Sequence, residues 1–74
     1  MINVAVYLKS ESCDSYLYLY SVETAKDVVN KLLSDNYEME TGCICEYEVE
    51  SNNKELNQQV KYEISEYMYE VFNK

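Results

Sequence analysis

Hydrophobic and polar side chains alternate twice near the start of the chain. In residues 2–9, Ile, Val, Val and Leu occupy every second position, and in residues 16–20 tyrosine alternates with leucine. A period of two is typical of half-buried strands, and the polar segment 10–15 between them has the composition of a hairpin loop. The pattern therefore predicts two strands joined as an antiparallel hairpin.

The period then changes to that of a helix. Five apolar residues recur at helical spacing, namely Ala25, Val28, Val29, Leu32 and Leu33. Thr24 is the expected N-cap, with Ser21 as the alternative, and Asn36 suits a left-handed cap at the C-terminus. A helix is therefore predicted between these two ends.

A second helix is predicted over residues 53–72. Its apolar stripe consists of Leu56, Val60, Ile64, Tyr67, Met68 and Val71. At its start, Asn52 followed three residues later by Glu55 resembles a capping box.

Between the two helices, residues 37–50 alternate over a stretch that is long for one strand, since strands usually have about 5–6 residues. A break is expected at Thr41-Gly42. Two interpretations remain, a tight hairpin or a loop followed by a strand over 43–50. The second is favoured because each half of a hairpin would be very short.

These elements predict a single α+β domain over residues 1–74, with the order β-β-α-β-α. The sheet, antiparallel or mixed, has three strands, or four if residues 37–42 form one, and both helices cover one face. The covered face is expected to consist of Ile2, Val4, Val6, Leu8, Leu17, Leu19, Cys43, Cys45, Tyr47 and Val49. The uncovered face would then carry Tyr7, Tyr16, Tyr18, Tyr20, Glu46, Glu48 and Glu50.

An exposed aromatic patch with an acidic border is typical of a binding surface. The four tyrosines and three glutamates of the uncovered face are therefore the predicted partner-binding residues. The alternative is a solvated sheet face, because cross-strand tyrosine pairs stabilise a sheet without any partner. If the sheet face is not the site, Tyr62 and Tyr69 on the second helix are the next candidates.

The charge of the chain indicates the kind of partner. Fourteen acidic residues against six lysines give a net charge of −8, and the chain has neither arginine nor histidine. Such a charge repels nucleic acid and anionic membranes and attracts basic protein surfaces. We therefore expect a basic protein partner and no direct contact with nucleic acid or a membrane.

The same composition argues against an enzyme and against a metal site. Without histidine the commonest general base is missing, and one glycine cannot build a glycine-rich phosphate loop. Cys13, Cys43 and Cys45 do not complete a zinc site and are expected to be reduced. Cys43 and Cys45 are expected to be small buried hydrophobes. No catalytic, cofactor-binding or metal-binding residue is predicted. No signal-peptide features begin the chain, so the expected location is the cytoplasm, that of the host cell if a phage encodes the chain.

Glutamates at alternate positions of a strand recur at about 6.8 Å, roughly the spacing of every second phosphate of one DNA strand. In size, acidity and tyrosine content, carried by Glu46–Glu50 and the run Tyr16–Tyr20, the chain resembles in overall character the small anti-CRISPR and anti-restriction proteins of phages and mobile elements. The resemblance implies a non-enzymatic inhibitor that mimics nucleic acid and occludes a basic surface of a nuclease or other DNA-binding protein. The alternatives are a homo-oligomeric module, such as a homodimer, and an antitoxin-like adaptor.

Overall fold

The computed structural model describes residues 1–72, which form three strands and three helices. The elements are β1 (Ile2–Ser10), β2 (Ser15–Val22), α1 (Ala25–Asp35), α2 (Tyr37–Glu40), β3 (Ile44–Glu50) and α3 (Lys54–Phe72). The predicted α+β class is confirmed, but the order differs because the short helix α2 lies between α1 and β3. The last two residues of the predicted domain lie outside the described part of the chain.

The three strands form one antiparallel sheet in the order β2-β1-β3, so β1 is paired on both sides. Its side chains Val4, Val6 and Leu8 are almost completely buried, with no more than 2% of each exposed. They pack in one core with the apolar stripes of α1 and α3. The two long helices therefore cover one face of the sheet, and no described helix covers the other. No helix within residues 1–72 has the length and apolar character needed to cross a membrane.

The two faces of β2 are the reverse of the predicted ones. Val6 lies opposite Tyr18 and Leu8 opposite Tyr16, and directly opposed residues project from the same face of a sheet. Tyr16, Tyr18 and Tyr20 therefore lie on the helix-covered face, where they are half-buried against the core. Leu17 and Leu19, predicted to be core residues, lie on the uncovered face and are 67% and 76% exposed.

The predicted alternation of β3 is correct from Glu46 to Glu50 and wrong at Ile44 and Cys45. Lys9 pairs with Glu46, but the next residue of β1, Ser10, pairs with Ile44, so a bulge leaves Cys45 as an extra residue. The bulge shifts the alternation by one position. Cys45 is therefore exposed instead of buried, and Ile44, expected on the outer side, belongs to the core.

Both long helices begin with local caps. Thr24 Oγ1 accepts a hydrogen bond from the Asp27 N–H at 3.2 Å, and the Asp27 carboxylate accepts one from the Thr24 N–H at 3.3 Å. The predicted N-cap of α1 is confirmed as a capping box. For α3 the side chain that accepts a hydrogen bond from the Leu56 N–H belongs to Asn53 instead of Asn52.

Asn36 joins α1 to α2 in a way that the sequence did not indicate. Its backbone is extended, with φ −131°, so it is not the predicted left-handed cap. Its N–H caps α1 by donating to the Leu32 carbonyl, while its side-chain oxygen accepts from the Met39 N–H at 2.9 Å and begins α2. The segment predicted as a loop or strand is therefore a helical turn that places Met39 in the core.

Candidate protein-binding face

The uncovered side of the sheet, called the open face below, has three columns of side chains. β2 contributes Ser15, Leu17, Leu19 and Ser21, β1 contributes Asn3, Ala5, Tyr7 and Lys9, and β3 contributes Glu46, Glu48 and Glu50. Since neighbouring strands are about 4.8 Å apart, the leucine and glutamate columns lie about 10 Å from each other. One face thus combines an apolar edge with an acidic edge.

The rows of the open face follow from the strand register. Tyr7 lies between Leu17 and Glu48, and its hydroxyl is 3.3 Å from the Ser15 hydroxyl oxygen. Ala5 lies between Leu19 and Glu50. Because the alanine side chain is small, the surface of the open face is lower in this row than in the row of Tyr7. A shallow depression there is lined in part by Leu19, Ala5 and Glu50.

The three glutamates differ in the charges around them. Glu48 forms an ion pair of 3.4 Å with Lys61, which reaches over from α3, and Glu46 lies directly opposite Lys9. Glu50 lies opposite the uncharged Ala5. An exposed ion pair contributes at most about 1 kcal/mol, so a cationic partner can compete with Lys61 for Glu48. The end of the column at Glu50 is the least neutralised.

The predicted site is therefore divided between two faces. Tyr7 and the three glutamates are brought together as predicted, whereas Tyr16, Tyr18 and Tyr20 lie on the opposite side of the sheet. The open face also contains Leu17 and Leu19, for which the sequence pattern predicts a place in the core. The alternative candidates Tyr62 and Tyr69 are exposed on α3 and lie outside this face.

Tyr16, Tyr18 and Tyr20, called the tyrosine ladder, hold the junction of α1 and α2. Their rings stack in sequence, with centroids 6.4 Å and 5.8 Å apart. Each hydroxyl is hydrogen-bonded to the segment 35–38. Tyr16 donates to the Glu38 carboxylate, Tyr20 donates to the Asp35 carboxylate at 2.8 Å, and Tyr18 accepts from the Asn36 amide at 3.0 Å. The ladder is thus a packing element of the fold.

These hydrogen bonds change the acidity of the groups that make them. The bond to Glu38, with smaller effects of burial and nearby negative charge, raises the pKa of Tyr16 to about 12. The same bond lowers the pKa of Glu38. Burial and the bond to Asp35 raise the pKa of Tyr20. The contacts are therefore strongest with the phenols protonated and the carboxylates ionised.

Above pH 10 the free energy of unfolding of the parent chain should fall, and that of the Tyr16→Phe variant should fall by less. A phenol whose pKa rises from 10.0 to about 12 on folding stabilises the fold fully below pH 10 and loses that contribution as pH rises through about 12. On the acid side, the Glu38 contribution is lost as pH falls through its lowered pKa. Urea unfolding and the absorbance of tyrosinate, both followed against pH, measure the effect. Glu38→Gln should move the ionisation of Tyr16 back toward 10.0; an unchanged ionisation would contradict the assignment.

The three cysteines lie near one end of the sheet. Cys13 is in the hairpin loop, Cys43 precedes β3, and the thiol of Cys45 donates to the carbonyls of Lys9 and Ser10 at 3.4 and 3.5 Å. All three are free thiols. Within residues 1–72, no group of three or more cysteine, aspartate or glutamate residues is placed to hold a metal ion.

No protein-family model, curated protein or solved structure matches the chain. The assignment of a function therefore depends on the geometry and charge of the open face.

Proposed function

We propose that this chain is a non-enzymatic inhibitor that binds a nuclease or another DNA-binding protein and covers its basic surface. The observation that carries the proposal is the asymmetry of the open face, which has exposed leucines on one edge strand and three glutamates on the other. A protein partner can use both columns at once, because its cations meet the glutamates while its apolar groups bury the leucines.

The acidic column supports a partner that normally binds nucleic acid. Alternate residues of a strand recur at about 6.8 Å, and the phosphates of one DNA strand follow each other at about 3.4 Å. Glu46, Glu48 and Glu50 would therefore replace every second phosphate in a cationic groove. The net charge of −8 adds long-range attraction, which speeds encounter with a basic target.

The apolar column supplies the contact area that the sequence pattern predicts for the tyrosines. Burying a leucine side chain completely contributes about 1.5–3 kcal/mol, and most of Leu17 and Leu19 is exposed in the unbound chain. An apolar patch with polar neighbours is a common mark of protein interfaces. The depression between Leu19 and Glu50 is suited to a single side chain of the partner.

Replacing Glu46, Glu48 and Glu50 by glutamine should weaken binding to the target about tenfold or more, because complementary charge is lost at the contact. The assay is fluorescence anisotropy of a labelled DNA duplex bound in turn to a panel of purified nucleases and transcription factors. The parent chain should displace the duplex from at least one of them, and less effectively as salt is raised.

The matched control replaces Glu23, Glu40 and Glu70 by glutamine. These carboxylates are exposed and lie off the open face, and both triple variants change the net charge from −8 to −5. A difference between them therefore reports position and not total charge. Equal displacement by the two variants, or no displacement by the parent anywhere in the panel, would contradict the proposal.

A further inference from the structure

The outer edge of β2 is an unprotected strand edge. Its pairing with β1 is regular from Ser15 to Val22, and these eight residues include no proline and no charged side chain. Within residues 1–72, the backbone hydrogen bonds outside helices and ladders involve none of residues 15–22. An unpaired row of N–H and C=O groups on a regular, uncharged strand is a template for another strand.

The opposite edge of the sheet is protected. β3 has a bulge beside Cys45, carries three glutamates, and is approached by α3, from which Lys61 reaches Glu48. Bulges and charges are the usual devices that prevent edge-to-edge pairing. These devices are present on β3 and absent from β2. The edge of β3 is therefore protected from pairing with another strand, whereas the edge of β2 can pair.

Residues 15–21 of β2 form a palindrome. Residues 15–21 read Ser-Tyr-Leu-Tyr-Leu-Tyr-Ser in both directions, centred on Tyr18. In an antiparallel pair related by a two-fold axis, residue i of one copy faces residue j of the other, and j faces i. A palindromic strand centred on that axis therefore places identical residue types opposite each other.

We infer that the outer edge of β2 binds a second copy of this chain, with Tyr18 of the two copies opposite each other. The two sheets then form one continuous antiparallel sheet of six strands. Each Leu17 faces the second copy's Leu19 on the open face, and each Tyr16 faces the second copy's Tyr20 on the helix side. Leucine and aromatic pairs are favourable across strands, and no like charges are opposed over residues 15–21.

The dimer would also extend the open face. Four leucines meet at its centre, and the two glutamate columns lie at its outer edges, five strand spacings or about 24 Å apart. Both sets of helices remain on the other side, since a two-fold axis normal to a sheet preserves its faces. The inference does not depend on the proposed DNA-binding target, because it is tested on the purified chain alone.

Sedimentation equilibrium of the parent chain should give twice the 8.7 kDa mass of one chain. Two charge variants, L17K/L19K and L17E/L19E, place like charges opposite each other twice in the palindromic register. Each should weaken dimerisation about a hundredfold or more. Both positions are exposed, so circular dichroism should show the parent fold in each variant. In a mixture of the two variants, the proposed register places the lysines of L17K/L19K opposite the glutamates of L17E/L19E, so mixing should restore the dimer.

The control variant Q58K/Q59K makes the same charge change as L17K/L19K at exposed positions of α3, and it should dimerise like the parent. A parent that remains monomeric up to about 1 mM, or a mass above that of a dimer, overturns the inference. So does a dimer that survives both charge variants, because its interface then lies elsewhere. A mixture that stays monomeric overturns the register.

Discussion

Truncation of Leu8 to alanine is expected to lower the free energy of unfolding by about 2–5 kcal/mol. Leu8 is completely buried on the central strand, opposite Tyr16 on one side and Tyr47 on the other. The atoms that it would lose lie in the core shared with the apolar stripes of α1 and α3. A cavity would remain there, because the surrounding elements relax only in part. A chain of 74 residues has a total stability of about 4–11 kcal/mol, so the loss is a large share of it. Urea unfolding followed by circular dichroism measures the change.

Leu17→Ala is the matched control, because it removes the same atoms from an exposed position on the neighbouring strand. Its effect on unfolding should stay within about 0.5 kcal/mol, measured at a protein concentration at which the chain is monomeric. The sequence pattern alone predicted that both leucines are buried together. A loss above about 2 kcal/mol for Leu17→Ala would therefore contradict the observed register.

The hairpin and the two long helices were predictable because their signals are local. The switch from a period of two to a helical period locates the hairpin, α1 and α3, and the Thr24 cap follows from side chains three residues apart. The buried stripe of α3, from Leu56 to Met68, was also predicted. Such contacts need no knowledge of the rest of the fold.

The faces of β2 were not predictable, because both of its faces are apolar in part. A shift of one residue in strand pairing exchanges the two faces, and here the hairpin loop sets the pairing. That loop is closed by hydrogen bonds between Ser10 and Asp14 and contains Cys13 in a left-handed conformation with φ 71°. Nothing in its composition specifies this geometry.

The tyrosines are on the covered face because their hydroxyls have partners there. Tyrosine can bury its ring only where the hydroxyl is hydrogen-bonded, and the partners of Tyr16 and Tyr20 are Glu38 and Asp35. These residues lie 22 and 15 positions further along the chain. The choice between tyrosine and leucine for the core is therefore made by tertiary contacts. The glutamates of β3 were placed correctly because their charge permits only the uncovered face.

The bulge at Cys45 has a similar non-local origin. A strand that alternates without interruption from Cys43 to Glu50 would bury Cys45, yet the register shift against β1 occurs between Lys9 and Ser10. The Glu11 N–H donates to the Cys43 carbonyl at 2.8 Å, which ties the hairpin loop to the start of β3. Contacts between two segments more than thirty residues apart thus decide which residue of β3 has no partner on β1.

Gly42→Ala is expected to lower the free energy of unfolding by about 2–5 kcal/mol, from two separate causes. Gly42 has φ +78°, a left-handed conformation that costs a residue with a Cβ about 1–2 kcal/mol. An added Cβ would also lie 2.7 Å from Cγ1 and 3.3 Å from Cβ of Val71. Overpacking of this kind typically adds about 1–3 kcal/mol.

The two causes can be separated with Val71→Ala, which removes the methyl group that the new Cβ would meet. In the Val71→Ala background only the 3.3 Å contact with Cβ remains, so Gly42→Ala should cost little more than the conformational part, about 1–2 kcal/mol. The two substitutions should therefore be coupled in a double-mutant cycle. Additive effects would show that α3 does not pack against this turn as described. A change within about 0.5 kcal/mol for Gly42→Ala alone would contradict the left-handed turn itself, and with it the geometry that carries the chain from α2 into the acidic strand of the open face.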